Sequence, residues 1–351
     1  MRFSIPLAFL LALPAANLPA QSFTRSFVTP RGAEFFEGNS SSSVMFGYTA
    51  TRTQQVDAYL VGKEMPVIRA LAWRRNAGSS SALKTSTLTL LMAHADITQV
   101  GSTYANNYKS TPIPVLPKTT VKLADWTRSM TGPTPFDMVI PFRIPFVYNR
   151  KDALLWEVAA TSTASSSYTQ DWCSSLDGMT YGDYPVELAA GCATAQGSFT
   201  QEVLFRAGTN LEFGIRLSGG PANAAALGLL GTRDPNLVLP GLCAPLRVEP
   251  LVLLALGSTD AAGALPLPAT PPVGTPWSPV FVGADLYVQC LAADPSRPGL
   301  PLALTNGQKC PAPTGNGQPP IRCQRIYNMK SATAATGSSP SASAVPTRFL
   351  F

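Results

Sequence analysis

The chain has 351 residues, 45% hydrophobic and only 13% charged, so it is neither intrinsically disordered nor a charged helical array. Its 27 glycines and 33 prolines show no Gly-X-Y period, which excludes collagen and disfavours long helices. The formal net charge of +6 is spread thinly, and without a basic stripe we expect no nucleic-acid binding.

The N-terminus has the pattern of a secretory signal peptide. Arg2 precedes an apolar run over residues 3–13, and small residues up to Ala20 provide a cleavage site. We therefore predict a signal peptide over residues 1–20 and a secreted or cell-surface protein. No other apolar stretch approaches the ~20 residues of a membrane-spanning helix, so no transmembrane segment is expected.

Strand-length apolar runs separated by polar turns follow, and their β-branched and aromatic content favours a sheet. In the last run, Leu154, Trp156 and Val158 share one face, as expected for a half-buried strand. We predict an N-terminal antiparallel β-sandwich domain over residues 27–165 and a linker bearing cysteine and tyrosine over 166–190. The candidate strands span residues 44–49, 67–74, 87–93, 138–148 and 154–160.

The second half repeats the two-residue alternation. Leu211, Phe213, Ile215 and Leu217 share one face, and residues 285–292 show the same two-residue alternation. We predict a second, disulfide-containing β-sandwich domain over residues 191–330, so the fold class is all-β with two antiparallel sandwiches. The Ser/Ala/Thr-rich residues 331–351 predict a disordered low-complexity tail.

Six cysteines lie in the second half of the chain, and their even number fits disulfides formed in an oxidising compartment. A zinc site is disfavoured because His94 is the only histidine and no C-x-x-C spacing occurs. Cys310 and Cys323 enclose a loop of 12 residues, 311–322, which is short enough to predict a local bridge.

Short motifs in both halves of the chain lie at residues 52–56, 67–74, 104–108, 135–137 and 145–148, and at 191–192, 211–213, 227–231, 241–243, 263–268 and 286–289. Together they resemble modules of secreted planctomycete-type bacterial proteins of unknown function. This resemblance implies an extracellular protein with two β-sandwich-like modules and no assigned activity. It also implies that Cys192 pairs with Cys243, which leaves Cys173 to pair with Cys290.

Acidic and aromatic residues gather around Cys173, where carboxylates could ligate Ca²⁺ and exposed rings could stack on a sugar. The alternative is a plain interdomain loop whose tyrosines cover the end of the sandwich while its acids stay in water. No cofactor is predicted, and calcium is a weak alternative because the Asp/Asn alternation of an EF-hand is missing. The candidate ligand-binding residues are Asp171, Trp172, Asp177, Tyr181, Asp183 and Tyr184.

Catalytic motifs are scarce in this sequence. Ser81 and Lys84 match Ser-x-x-Lys without its companion motifs, and His94 is expected to be a half-buried histidine at a strand end. We expect a non-enzymatic secreted or cell-surface protein with a structural or adhesive role toward extracellular polymers. An extracellular carbohydrate-binding protein and a secreted hydrolase with an unrecognised site are the alternatives, and the sequence does not predict the oligomeric state.

Overall fold

The computed structural model describes residues 25–63, 67–128, 130, 132–174, 180–181, 185–207, 210–265, 268–270, 272–276, 284–312 and 322–351. The predicted signal peptide lies outside these ranges. Within them, the regular structure consists of β-strands and three short 3₁₀ helices, which confirms the all-β class. No helix in the described ranges has the length and apolar character needed to cross a membrane.

The first half of the chain contains nine strands and the three 3₁₀ helices. The strands are β1 (Ser26–Thr29), β2 (Ser40–Ser42), β3 (Ala50–Asp57), β4 (Val67–Trp73), β5 (Thr85–Ala95), β6 (Ile113–Lys122), β7 (Met138–Val147), β8 (Ala153–Thr161) and β9 (Gln170–Ser174). The helices are η1 (Arg31–Glu34), η2 (Ile97–Gln99) and η3 (Tyr104–Asn107).

The second half adds fifteen described strands. They are β10 (Thr180–Tyr181), β11 (Val186–Glu187), β12 (Ala193–Thr194), β13 (Gly197–Ser198), β14 (Thr200–Ala207), β15 (Asn210–Ser218), β16 (Ala225–Gly231), β17 (Val252–Ser258), β18 (Pro272–Pro276), β19 (Asp285–Ala293), β20 (Leu302–Leu304), β21 (Gln308–Pro311), β22 (Cys323–Asn328), β23 (Ser343–Ala344) and β24 (Thr347–Leu350).

The first sheet pair encloses a core of aromatic and aliphatic side chains. Its sheets have the strand orders β22-β3-β8-β5-β6 and β1-β24-β4-β7, and the small sheet β2-β9-β23 lies beside them. Trp156 of β8 and Trp73 of β4 meet edge to face in this core, with ring centroids 5.6 Å apart. The predicted core face of β8 is confirmed, because Leu154, Trp156 and Val158 are all buried there. The strand is not half-buried as predicted, since Leu155 and Glu157 on its other face are buried as well.

The C-terminal segment belongs to the first sheet pair, which differs from the predicted disordered tail. β24 lies between β1 and β4 and pairs with both, while Val345 and Phe349 fill the core. β22, which we predicted within the second domain, pairs with β3. The few large apolar residues at the chain end are enough to order this segment, because strands on both sides satisfy its backbone hydrogen bonds and the core covers its apolar side chains.

The second sheet pair has its own buried core. Its sheets follow the orders β10-β14-β15-β18 and β11-β21-β19-β16-β17, with β20 paired to β19. Phe213 and Ile215 of β15 face Val288 and Cys290 of β19, so both predicted alternations are confirmed. The presence of two cores fits the predicted division into two domains, which stays a prediction.

One of the three predicted disulfides is present. Cys192 and Cys243 are bonded, with Cα atoms 5.4 Å apart. Cys290 and Cys323 are buried free thiols, so the predicted pairs Cys173–Cys290 and Cys310–Cys323 are not formed. The physical reason is that β22 carries Cys323 back to the first sheet pair, whereas Cys290 and Cys310 stay in the second core.

Candidate ligand pocket

Asp171, the first residue of the predicted ligand loop, is a buried structural group. Its Oδ2 accepts hydrogen bonds from Arg74 Nε at 2.8 Å and Nη2 at 2.6 Å, and both side chains are 1% exposed. The amide of Gly38 donates to the same carboxylate at 3.0 Å. Asp171 therefore does not face a ligand, because its oxygens already neutralise a buried guanidinium.

The rest of the predicted loop is only partly described. Trp172 is half-buried, and the guanidinium carbon of Arg325 lies 5.9 Å from the centre of its ring. Tyr181 lies on β10, opposite Arg206 of β14. Asp177, Asp183 and Tyr184 lie outside the described residues.

The described residues contain no cluster of three or more His, Cys, Asp or Glu side chains that could hold a metal ion. The calcium alternative depended on Asp177 and Asp183, which are not described. It therefore stays a prediction.

The Ser-x-x-Lys residues do not touch each other and instead support a loop. Ser81 Oγ donates to the carbonyl of Ser167 at 2.7 Å. Lys84 Nζ donates to the carbonyls of Phe46 and Ala164 at 2.5 and 3.1 Å. Burial lowers the pKa of Lys84, but these acceptors favour its charged form, so the lysine is not arranged as a base for Ser81.

His94 is built into the end of β5, as the sequence indicates. Its ring stacks on Tyr148 with centroids 5.9 Å apart, and its Nδ1 lies 3.2 Å from Ser110 Oγ. Its Nε2 accepts from the amide of Asn149 at 3.1 Å, which holds the turn after β7. Burial lowers the pKa of His94, in keeping with a neutral ring that accepts this bond.

A pocket of about 360 Å³ lies where the two sheet pairs meet, and we call it the junction pocket. The halves approach closely here, since a Cβ on Gly214 of β15 would lie only 2.4 Å from Cβ of Phe35. Phe35, Phe36 and Leu204 form a small apolar cluster across the same contact. The residues that line the pocket are Ser26, Glu34, Arg74, Pro133, Thr134, Pro135, Phe136, Arg216, Leu265, Pro268 and Arg348.

Two of the three pocket arginines have carboxylate partners. Arg74 pairs with Asp171, as described above, and also donates to the carbonyls of Ala33 and Phe36 at 2.7 and 2.6 Å. Arg216 Nη1 donates to Glu34 Oε1 at 2.8 Å and to Glu202 Oε2 at 3.1 Å. These pairs fix the two guanidinium groups in the pocket wall.

Arg348 of β24 differs from the other two. Its guanidinium forms no hydrogen bond or ion pair with any described residue, and its Nε is fully buried. The guanidinium carbon lies 4.7 Å from the centre of the Phe136 ring, a cation–π contact. Burial lowers the pKa of Arg348, and Arg216 and Arg74 add to that effect while Glu34 opposes it.

Sequence reasoning missed this pocket because its central arginine lies in the segment that composition assigns to a disordered tail. A local signal does exist there. Phe349 faces the core while Arg348 faces the pocket, which is the alternation of a strand. Reading residues 347–350 as a strand would have placed Arg348 on the face opposite the core.

Comparisons with protein-family models, with curated proteins and with solved structures find no match to this chain. The resemblance to secreted planctomycete-type proteins therefore stays a prediction.

Proposed function

We propose that this chain is a non-enzymatic, secreted or cell-surface binding protein that attaches to an extracellular polymer. The junction pocket carries this proposal. It is concave, it combines apolar walls with a few charged groups, and it lies between two sheet pairs, where ligand sites commonly occur. An adhesive protein requires a ligand site of this kind, but it does not require a nucleophile or a general base beside that site.

The contacts of the candidate catalytic residues support binding over catalysis. Ser81 and Lys84 hold a loop, and His94 holds a turn, so none of them presents a free nucleophile or base to the junction pocket. The pocket lining contains one carboxylate, Glu34, whereas glycoside hydrolysis ordinarily needs a pair.

The test uses the mature chain, residues 21–351, and a glycan and cell-wall polymer binding array. Ser26→Trp places a large ring at the exposed pocket rim, and Ser198→Trp is the matched control on an exposed strand outside the pocket. We expect binding of at least one polymer, lost in Ser26→Trp and kept in Ser198→Trp. Equal binding by both variants, or no binding by the mature chain, would contradict the proposal.

A turnover screen and one further variant cover the alternatives. The mature chain is incubated with ester, peptide and glycoside substrates, and turnover that Ser26→Trp abolishes would identify the pocket as a hydrolase site. Trp172→Ala is measured on the same binding array. Loss of binding in that variant alone would move the site to the cysteine-bearing loop and favour the carbohydrate-binding alternative there.

A further inference from the structure

We propose that the junction pocket binds the oxyanion group of an acidic sugar, a carboxylate or a sulfate ester, and that Arg348 holds this group. The inference rests on the proposed binding function and names the ligand class of the same site. It depends on three observations: the charge of the lining, the unpaired guanidinium and the apolar part of the lining.

The charge of the lining favours an anion. Three arginines and one glutamate face the pocket, which leaves two net positive charges among the lining side chains. Asp171 lies behind the wall and compensates Arg74, and Glu34 and Glu202 compensate Arg216. Arg348 is left as the pocket arginine that forms no ion pair with a described carboxylate, although Glu34 lies near enough to favour its charged form.

Arg348 is half-buried and its Nε is fully buried, which makes the missing hydrogen-bond partner significant. A guanidinium carries five N–H donors, and a buried donor without an acceptor destabilises the folded state. The Phe136 ring contacts the guanidinium but gives its Nε no acceptor in the hydrogen-bond plane. The fully buried Nε cannot be reached from the pocket, but a carboxylate or sulfate can place two of its oxygens against the N–H groups of the terminal nitrogens Nη1 and Nη2 at once.

The remaining lining suits the ring of a sugar. Pro133, Pro135, Leu265 and Pro268 supply apolar surface, on which the C–H face of a pyranose can pack. The exposed Ser26 hydroxyl offers a hydrogen bond to a sugar hydroxyl at the rim. The volume of about 360 Å³ lies near the lower end of the usual range for ligand sites, so one sugar unit is expected inside.

Titration calorimetry of the mature chain tests the ligand class directly. The probes are oligogalacturonate, a sulfated galactan oligosaccharide and a neutral galactan oligosaccharide, together with inorganic sulfate and inorganic phosphate. We expect at least one acidic oligosaccharide to bind tenfold or more tightly than the neutral one and than either inorganic ion. Equal affinity for the neutral oligosaccharide, or for an inorganic ion, would overturn the assignment to an acidic sugar.

Arg348→Met tests the residue, with Arg233→Met as the matched control. Arg233 has an 80% exposed side chain and lies outside the pocket, so its variant loses the same charge without touching the site. Charge-assisted hydrogen bonds are the strong class, and we expect Arg348→Met to weaken acidic-sugar binding tenfold or more while Arg233→Met changes it less than twofold. Similar losses in both variants would show that diffuse charge, and not Arg348, attracts the ligand.

A second variant keeps the test decisive if Arg348→Met does not fold, since β24 lies between two strands. Ser26→Glu puts a negative charge at an exposed rim position, and it should also weaken acidic binding at least tenfold while sparing neutral ligands. Neutral-glycan binding that Ser26→Trp blocks would overturn this inference and leave the proposed function standing. The absence of any polymer binding would overturn both.

Discussion

The substitution Asp171→Asn distinguishes the structural role of Asp171 from the ligand role that its sequence context suggests. Asn keeps the shape of the side chain and an acceptor for the Gly38 amide but removes the negative charge from Arg74. Both side chains are 1% exposed, so the remaining guanidinium charge is buried without its counter-ion. Breaking such a pair costs about 3–5 kcal/mol.

We expect the lower end of that range, about 3 kcal/mol, because Arg74 keeps its bonds to the carbonyls of Ala33 and Phe36. In a thermal melt this corresponds to a fall in Tm of roughly 6–12 °C for a domain of 150–250 residues. Asp285→Asn is the control, since Asp285 is 41% exposed and pairs with Lys309 at the surface. Its expected effect is below about 1 kcal/mol.

A double-mutant cycle isolates the pair. Asp171→Asn combined with Arg74→Met removes both charges, so the double variant should lose less stability than the sum of the two single variants, by about 1–3 kcal/mol. Denaturant unfolding of the four proteins measures this coupling. If Asp171→Asn melts within 1 °C of the original protein and instead loses polymer binding, the residue is a ligand group and the reasoning above is refuted.

Three further predictions concern pH, the disulfide and the C-terminus. Burial, and after it the negative charge of the neighbouring Asp171, raises the pKa of Glu37 from 4.5 to about 7. Between these pH values the folded state retains a proton that the unfolded chain releases, so the free energy of unfolding should fall as the pH rises. In Glu37→Gln the free energy of unfolding should decrease by about 2 kcal/mol less over this pH range, a figure reduced for the partial solvent exposure of Glu37. An unchanged pH dependence of this variant in denaturant unfolding would contradict the prediction. Replacing Cys192 and Cys243 together by Ser removes a bond between residues that are 51 positions apart in sequence, and it should lower the free energy of unfolding by about 4 kcal/mol. An unchanged urea midpoint would show that the bond does not stabilise the protein. Deleting residues 343–351 removes β23 and β24, and we expect the melting transition of the first sheet pair to be lost while the second sheet pair, which has its own core, still melts. A melting profile equal to that of the full chain would mean that the end of the chain is dispensable.

The core-facing side chains of three long strands were predictable, because successive side chains of a strand alternate between two environments. The apolar sets on β8, β15 and β19 all face a core, as their sequences indicate. The candidate site was not predictable in the same way. Arg216 and Arg348 belong to β15 and β24, and Arg74 directly follows β4; no local pattern shows that these strands meet.

Charged residues show the limit of local reasoning most clearly. Arg74 and Arg75 follow β4 in sequence, and both are buried. Arg74 is neutralised by Asp171, and Arg75 donates to the carbonyl of Trp126 at 3.1 Å. A buried charge needs a partner, and partners from distant segments become known only when the chain is folded.

The sequence by itself determined the strand-rich class, the core-facing side chains of β8, β15 and β19, and the pairing of Cys192 with Cys243 that the family resemblance implies. These features depend on turn residues, on the two-residue period or on motifs read directly from the chain. Only the tertiary structure decided that residues 322–351 return to the first sheet pair, that Asp171 is structural, and that Arg348 faces the junction pocket. Strand order is set by how distant segments share a core and satisfy one another's backbone hydrogen bonds. The composition near the chain end does not indicate which strands will pair there.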